Sequence, residues 1–301
     1  MSPRYDLHSH SLASDGTLSP AALVAAAHAA AVDVLALTDH DTMAGIAAAT
    51  DCARPLGMQL VPGVEISVSW RSQTVHVLGL GVDPDCETLL AGLAGLRAFR
   101  DWRAEEIGRR LARAGIGGCY EGARQLAQGS IVSRTHFAHH LVARGHAASV
   151  RDVFKRFLVN NKPGYVAGQW ADLEAAMSWI AAAGGMAVIA HPARYNMTAS
   201  KLRRLVGEFR ECGGAGLEVV SGSHTRDNTI AMAALCRNEG MLASTGSDYH
   251  GPENPWVRLG ELAALPAGCR AVWESEHWLN PAACRQAISN QARGTRIRQA
   301  D

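Results

Sequence analysis

The strongest constraint on this chain is a pair of ligand-type residues near each of its ends. His8 and His10 stand in DLHSHSLASDG, with Asp15 shortly after them, and Asp248 and His250 stand in GSDYHG. On an extended strand, residues two apart project from the same face, so each pair can present two donors to one cluster. Donors at both ends of a 301-residue chain imply a closed fold that brings those ends together around a site. His40, Glu65, His76 and His191 lie between the pairs, each at or near the end of a strand-like run. The pattern points to a metalloenzyme.

Composition narrows the class. With 48% hydrophobic residues the chain can bury a full core, either as one barrel or as one domain carrying an insertion. The formal net charge of +1 supplies no global field for nucleic acid or an anionic membrane, so any attraction for anions must be local. Seven cysteines are scattered without a C-x-x-C, which fits reduced thiols in a cytoplasmic protein better than a disulfide framework. The start, MSPRYDLHSH, has no apolar h-region, and no apolar run approaches the length of a membrane span.

Strand and helix signals alternate along the chain. Residues 5–10 read as a short strand, and a capped helix is expected from Ser19-Pro20 through the alanines that follow. Residues 32–38 (VDVLALT) read as a buried strand ending in Asp39-His40-Asp41. GMQLVPGVEISVSW and TVHVLGLGV are two strand-like runs separated by a polar turn at 71–73. An arginine-rich helix is expected from Cys86 to about Gly115, and helix–strand units continue to MLASTGSD. Apolar strands alternating with helices predict an α/β fold with a parallel sheet or barrel, whose carboxyl-terminal strand ends carry the site. Glu65 in GVEIS and His76 in TVHVL are the most telling positions, because a polar group inside an apolar strand is costly unless paired or metal-bound.

The stretch between His76 and His191 is longer than one or two βα units require. Residues 98–168 are therefore read as an inserted, mainly helical lid domain between barrel segments 1–97 and 169–301. Arg97, Arg100 and Arg103 share one face of the arginine-rich helix. Ser133, Arg134 and His136 mark an expected helix start, where free N–H groups and the helix dipole favour an anion. Arg134 is the first candidate for substrate binding, ahead of Arg103, His136, Lys162 and Arg194.

The motifs DLHSHSLASDG, LALTDHDT, PGVEIS, HVLGLG, AHPAR and GSDYHG, in this order, resemble the motif set of the PHP (polymerase and histidinol phosphatase) family. The resemblance implies a distorted (βα)7 barrel holding two to three divalent metal ions. Its ligands here would be His8, His10, Asp15, His40, Glu65, His76, His191, Asp248 and His250. Asp15, His40 and His191 would also act in catalysis, His191 as a candidate to assist the leaving alkoxide. The mixed nitrogen and oxygen set suits manganese, zinc or iron better than magnesium or calcium, with manganese placed first. A complete set argues against a silent, purely metal-binding module.

The insertion, with SRTHFAHHL and KPGYV, resembles a PHP branch acting on 3′,5′-nucleoside bisphosphates, related members of which trim 5′-phosphorylated oligoribonucleotides. That implies hydrolysis of a 3′-phosphate while arginines grip a 5′-phosphate. The near-neutral charge favours a small nucleotide substrate over a long polymer, with short RNA second and no membrane or obligate protein partner expected. The competing expectation is a histidinol phosphate phosphatase, which would want a carboxylate pocket for an amine and no second anion site.

Overall fold

A computed structural model describes residues 2–71, 73–127 and 131–280. Cys284 and the last part of the 169–301 segment lie outside these residues, as does the middle of the 71–73 turn.

Strand β1 (Tyr5–Asp6) leads to helix α1 (Pro20–Ala29), then β2 (Val34–Leu37) and α2 (Ile46–Leu56). The Ser19 hydroxyl caps α1 by accepting from the Ala22 N–H at 3.2 Å, with Pro20 in the first turn where its missing N–H costs nothing. Strands β3 (Gln59–Trp70) and β4 (Gln73–Leu80) follow, then the long helix α3 (Glu87–Arg113). Next come α4 (Cys119–Leu126), α5 (Arg134–Ala143) and α6 (Val150–Val153), which runs on into a wider turn over Phe154–Leu158. The chain returns through β5 (Ala171–Asp172), α7 (Leu173–Ala182), β6 (Met186–Ile189) and α8 (Ala199–Glu211). It finishes its regular structure with β7 (Gly216–Ser221), α9 (Arg226–Asn238) and β8 (Leu242–Gly246).

The sheet runs in the order β1-β2-β3-β4-β6-β7-β8, with β5 beside β3. Its two ends meet: the Leu7 N–H donates to the Thr245 carbonyl at 3.0 Å, and the Asp248 N–H donates to the His8 carbonyl at 2.9 Å. The result is a nearly closed α/β barrel, and the first and last ligand pairs lie side by side at its rim. One feature departs from a purely parallel sheet. β3 and β4 pair antiparallel, with Ser67 opposite His76, and β4 pairs antiparallel with β6. No helix lies between β3 and β4, and a tight turn can only return the chain antiparallel. This hairpin is the distortion in the barrel.

Three hydrophobic clusters hold the molecule. One fills the barrel interior with Leu7, Val34, Val61, Leu78 and Val188, and a larger one packs the outer helices onto the sheet. The third is built from Ile107, Leu111, Phe137, Leu141, Val153 and Leu158. Helix α3 serves two cores: Leu89, Leu93 and Leu96 join the barrel, and Ala104, Ile107 and Leu111 join the third cluster. Gly108 lets α3 approach α4, since a Cβ there would sit 2.6 Å from the Tyr120 Cβ. No helix among the described residues is long and apolar enough to cross a membrane.

Candidate active site

The strand ends of the barrel converge on one carboxylate. Glu65, midway along β3, is fully buried. Its Oε1 lies 2.9 Å from His76 Nδ1 and 3.0 Å from His191 Nε2. Its Oε2 lies 2.9 Å from His40 Nδ1, 3.3 Å from His10 Nε2 and 3.4 Å from His8 Nε2. Asp248 Oδ1 faces His10 Nε2 at 3.3 Å and His8 Nε2 at 3.5 Å, and Asp15 Oδ1 faces His250 Nε2 at 3.4 Å. All nine residues that the motifs pointed to therefore meet in one place.

The backbone bends sharply to achieve this. His191 (φ 28°) and Asp248 (φ 56°) follow β6 and β8 in left-handed conformations, as does Asp41 (φ 52°) after β2. Such conformations cost a non-glycine residue of order 1–3 kcal/mol and persist where the surroundings over-determine them, often at functional sites.

The donor set fits divalent cations. Three groups hold donor atoms within 4.8 Å of one another: His10, Asp15, His40 and His250; His8, His10, Glu65 and Asp248; and His40, Glu65 and His76. His8 Nε2 and His10 Nε2 approach to 3.0 Å. Because His8 Nδ1 is engaged by Glu218, two imidazole lone pairs facing each other make sense around a cation or a proton. Glu65 Oε2 and Asp15 Oδ1 are buried without a hydrogen-bond partner, an expensive state that ligation relieves. Electrostatics agree. Burial opposes charging His10, yet the carboxylates of Asp248 and Glu65 facing it outweigh that and lift its pKa to about 10. Burial likewise opposes ionising Glu65, but His40, His76 and His8 hold it well below the ordinary carboxylate range. Burial drives His76 the other way, to about 4.

A layer of supporting groups fixes these side chains. Glu218, fully buried in β7, binds His8 Nδ1 at 2.8 Å and accepts from the His191 N–H. The Asp39 carboxylate accepts from the Ser11 N–H and from the hydroxyls of Ser11 and Ser14, holding the loop that carries Asp15. The Tyr195 hydroxyl accepts from the His76 N–H at 2.8 Å. Glu218 was not singled out from sequence, although the rule that picks out Glu65 applies equally to a glutamate in GLEVVS. Asp39 and Tyr195 carry no comparable signal.

Above the cluster lies a cavity of about 350 Å³, walled by Arg100, Arg103, Arg134, Phe154, Tyr165 and Trp170 as well as the cluster itself. The arginines differ in their duties. Arg97 and Arg100 bind Asp41, at its carbonyl (3.0 Å) and its carboxylate (2.7 Å), so both tie α3 to the loop after β2. Arg103 donates to the Val166 carbonyl and stacks on Trp170. Burial, with Arg134 and Arg100 nearby, lowers its pKa to about 9. Arg134 opens α5 and lies over the Phe154 ring. Neither Arg103 nor Arg134 forms an ion pair among the described residues.

The other residues expected to bind substrate fall differently. Arg194 lines the cavity but donates to Asp248 Oδ2 at 2.5 Å. His136 does not line it: its Nδ1 accepts from the Ser133 N–H at 3.0 Å and closes a reciprocal cap with the Ser133 hydroxyl. Lys162 is exposed, outside the cavity wall, because the turn at 159–165 points it to solvent.

Comparison with known proteins agrees with this architecture. The PHP domain model matches residues 6–219. A 3′,5′-nucleoside bisphosphate phosphatase from Chromobacterium violaceum is 46% identical over 269 residues, 89% of this chain and 94% of the relative. The 5′-3′ exoribonuclease Rnm of Escherichia coli K12 is 46% identical over 272 residues, 90% of this chain and 92% of the relative. A solved amidohydrolase structure from Chromobacterium violaceum, with bound sulfate and no metal, superposes with a TM-score of 0.87 at 45% identity, covering 93% of this chain and 96% of that one. Fold, converging donors and family match lead to one conclusion: the chain belongs to the PHP family and is a metal-dependent phosphoesterase.

Proposed function

We propose that the enzyme removes the 3′-phosphate of 3′,5′-nucleoside bisphosphates, giving the 5′-monophosphate and inorganic phosphate, and that short 5′-phosphorylated RNA enters the same site. The observation that carries this reading is the pair Arg103 and Arg134, short of anionic partners, facing the donor cluster across one cavity. Two anion sites in one cavity match a substrate with two phosphates. A histidinol phosphate would instead want an acidic pocket for its amine, and the wall opposite the cluster is cationic. The names of the Chromobacterium and Escherichia coli relatives support the nucleotide class.

In this reading His8, His10, Asp15, His40, Glu65, His76, His191, Asp248 and His250 hold two or three divalent cations, manganese first among them. Bound there, the cations activate water and neutralise phosphoryl oxygens. The protein does the rest. Arg134 and Arg103 grip the 5′-phosphate and set the distance to the 3′-phosphate. Tyr165 and Phe154 wall the cavity where the nucleoside lies. Glu218 keeps the His8 and His191 segments in register. The proton that the departing 3′-oxygen takes would come from a water held at the cluster or from a cluster imidazole that is not ligating at that moment, His191 being the candidate.

Arg134→Ala tests the anchor. It should lower kcat/KM for adenosine 3′,5′-bisphosphate by roughly 30- to 1,000-fold, about 2–4 kcal/mol, while 3′-AMP, poor already, changes little. Equal losses on both substrates would remove the anchor role. Release of 3′-AMP instead of 5′-AMP from the bisphosphate would reverse the two anion sites.

A further inference from the structure

A second groove lies outside the cavity, with no lining residue in common with it. It measures about 520 Å³, and His224, Arg226, Pro255, Trp256 and Arg258 line it. Its wall is built from the segments that follow β7 and β8, so it shares a backbone with the donor cluster. The Gly222 N–H donates to the Gly246 carbonyl, and a Cβ on Gly222 would reach the Ser247 carbonyl oxygen, one residue before Asp248. His224 is near enough to His191 and Arg194 for their charges to bear on it.

Trp256 is the most exposed large hydrophobic residue described, at 88%. An indole left in water gains nothing for the fold. Arg226 occupies the first position of α9, where the helix dipole favours an acid over a base. Arg258 donates through Nε to the Pro255 carbonyl at 3.1 Å and pairs with Glu261, also in the groove wall, at 3.3 Å, but both charged side chains are well exposed, so the pair is weak and the guanidinium keeps further N–H groups for an anion. An exposed aromatic flanked by cations is the composition of a single-stranded nucleic-acid platform, on which any base can stack.

We infer that this groove receives the RNA downstream of the scissile phosphate, with Trp256 stacking on a base and Arg226 and Arg258 meeting backbone phosphates. The inference rests on the nucleotide reading above and extends it. Hydrolysis adds the oxygen of water to phosphorus and breaks the P–O3′ bond, and the released 5′-mononucleotide keeps a 3′-hydroxyl. The phosphate stays with the remaining RNA as its new 5′-phosphate. That remainder must pass from the cluster to the surface, and the segment after β8 that carries Asp248 goes on to carry Pro255, Trp256 and Arg258 of the groove. A bisphosphate has nothing beyond the reacting phosphate, so it does not reach Trp256.

The test compares wild type, Trp256→Ala and Trp256→Phe, each loaded with manganese. The substrates are adenosine 3′,5′-bisphosphate and 5′-phosphorylated oligoadenylates of two to six nucleotides. Trp256→Ala should lose roughly 10- to 100-fold in kcat/KM on the longer oligonucleotides, the range set by one stacked base. It should be unchanged on the bisphosphate, and Trp256→Phe should restore most of the loss. Fluorescence anisotropy of a 3′-labelled hexamer should weaken in parallel. Loss on both substrates alike, or on neither, overturns the platform. A wild type that cleaves the bisphosphate but no oligonucleotide also overturns it, together with the entry of short RNA, and leaves the bisphosphate activity standing. A wild type that cleaves neither removes both.

Discussion

Five imidazoles crowd one carboxylate at Glu65, an arrangement that neutral side chains alone would not sustain. Glu65→Gln keeps the shape but supplies a neutral oxygen and an N–H where an anionic donor is needed. The variant should fold, lose bound metal and lose most activity; elemental analysis showing full occupancy with near-normal turnover would remove Glu65 from the site. The same electrostatics give a pH dependence. His10, raised from 6.5 to about 10, keeps its proton across the neutral range in metal-free protein. A cation must displace that proton, so binding releases protons and affinity rises as pH rises. Titration calorimetry with manganese at pH 7, in buffers of different ionisation enthalpy, should show net release of one or more protons. No dependence on buffer would contradict the assignment.

At the scale of elements, α3 joins two cores, since its first half packs on the barrel and its second half on the cluster around Phe137 and Leu158. Its contact with α4 has no room at Gly108. Gly108→Ala should cost about 1–3 kcal/mol through overpacking, raise KM for the bisphosphate and leave metal content unchanged. A melting temperature and KM both equal to wild type would show that the two helices separate freely. The elements also show what can be read without a structure. Strand ends were legible because polar residues interrupt apolar runs, and the start of α1 because Ser19-Pro20 is a cap with a mechanism. The antiparallel β3–β4 pairing was not, since two adjacent strand-like runs leave the sheet order open. Nor were the separate duties of Arg97, Arg100, Arg103 and Arg134: spacing puts several of them on one face, but only tertiary contacts assign Asp41 to two of them. His136 shows the same limit, because a histidine three residues after a serine serves a cap as well as it would serve a phosphate.

Across the whole molecule, the donors tie together strands from both ends of the barrel, so ligation and folding are thermodynamically linked. At a 1,000-fold excess over Kd, cations should add about 4 kcal/mol, and stripping them with a chelator should lower the melting temperature by on the order of 5–10 °C. An unchanged melting curve after complete removal would show that the site is preformed and indifferent to its contents. The closure of β1 against β8 has a consequence for biosynthesis. His8 and His10 leave the ribosome roughly 240 residues ahead of Asp248 and His250, a wait on the order of 10 to 50 seconds at ordinary rates of elongation. Until then the first pair has no partners from the far end, and the barrel has no last strand to shut against. The two donor groups that need Asp248 or His250 are therefore completed only late in synthesis, whereas His40, Glu65 and His76 are all present within about the first quarter of the chain.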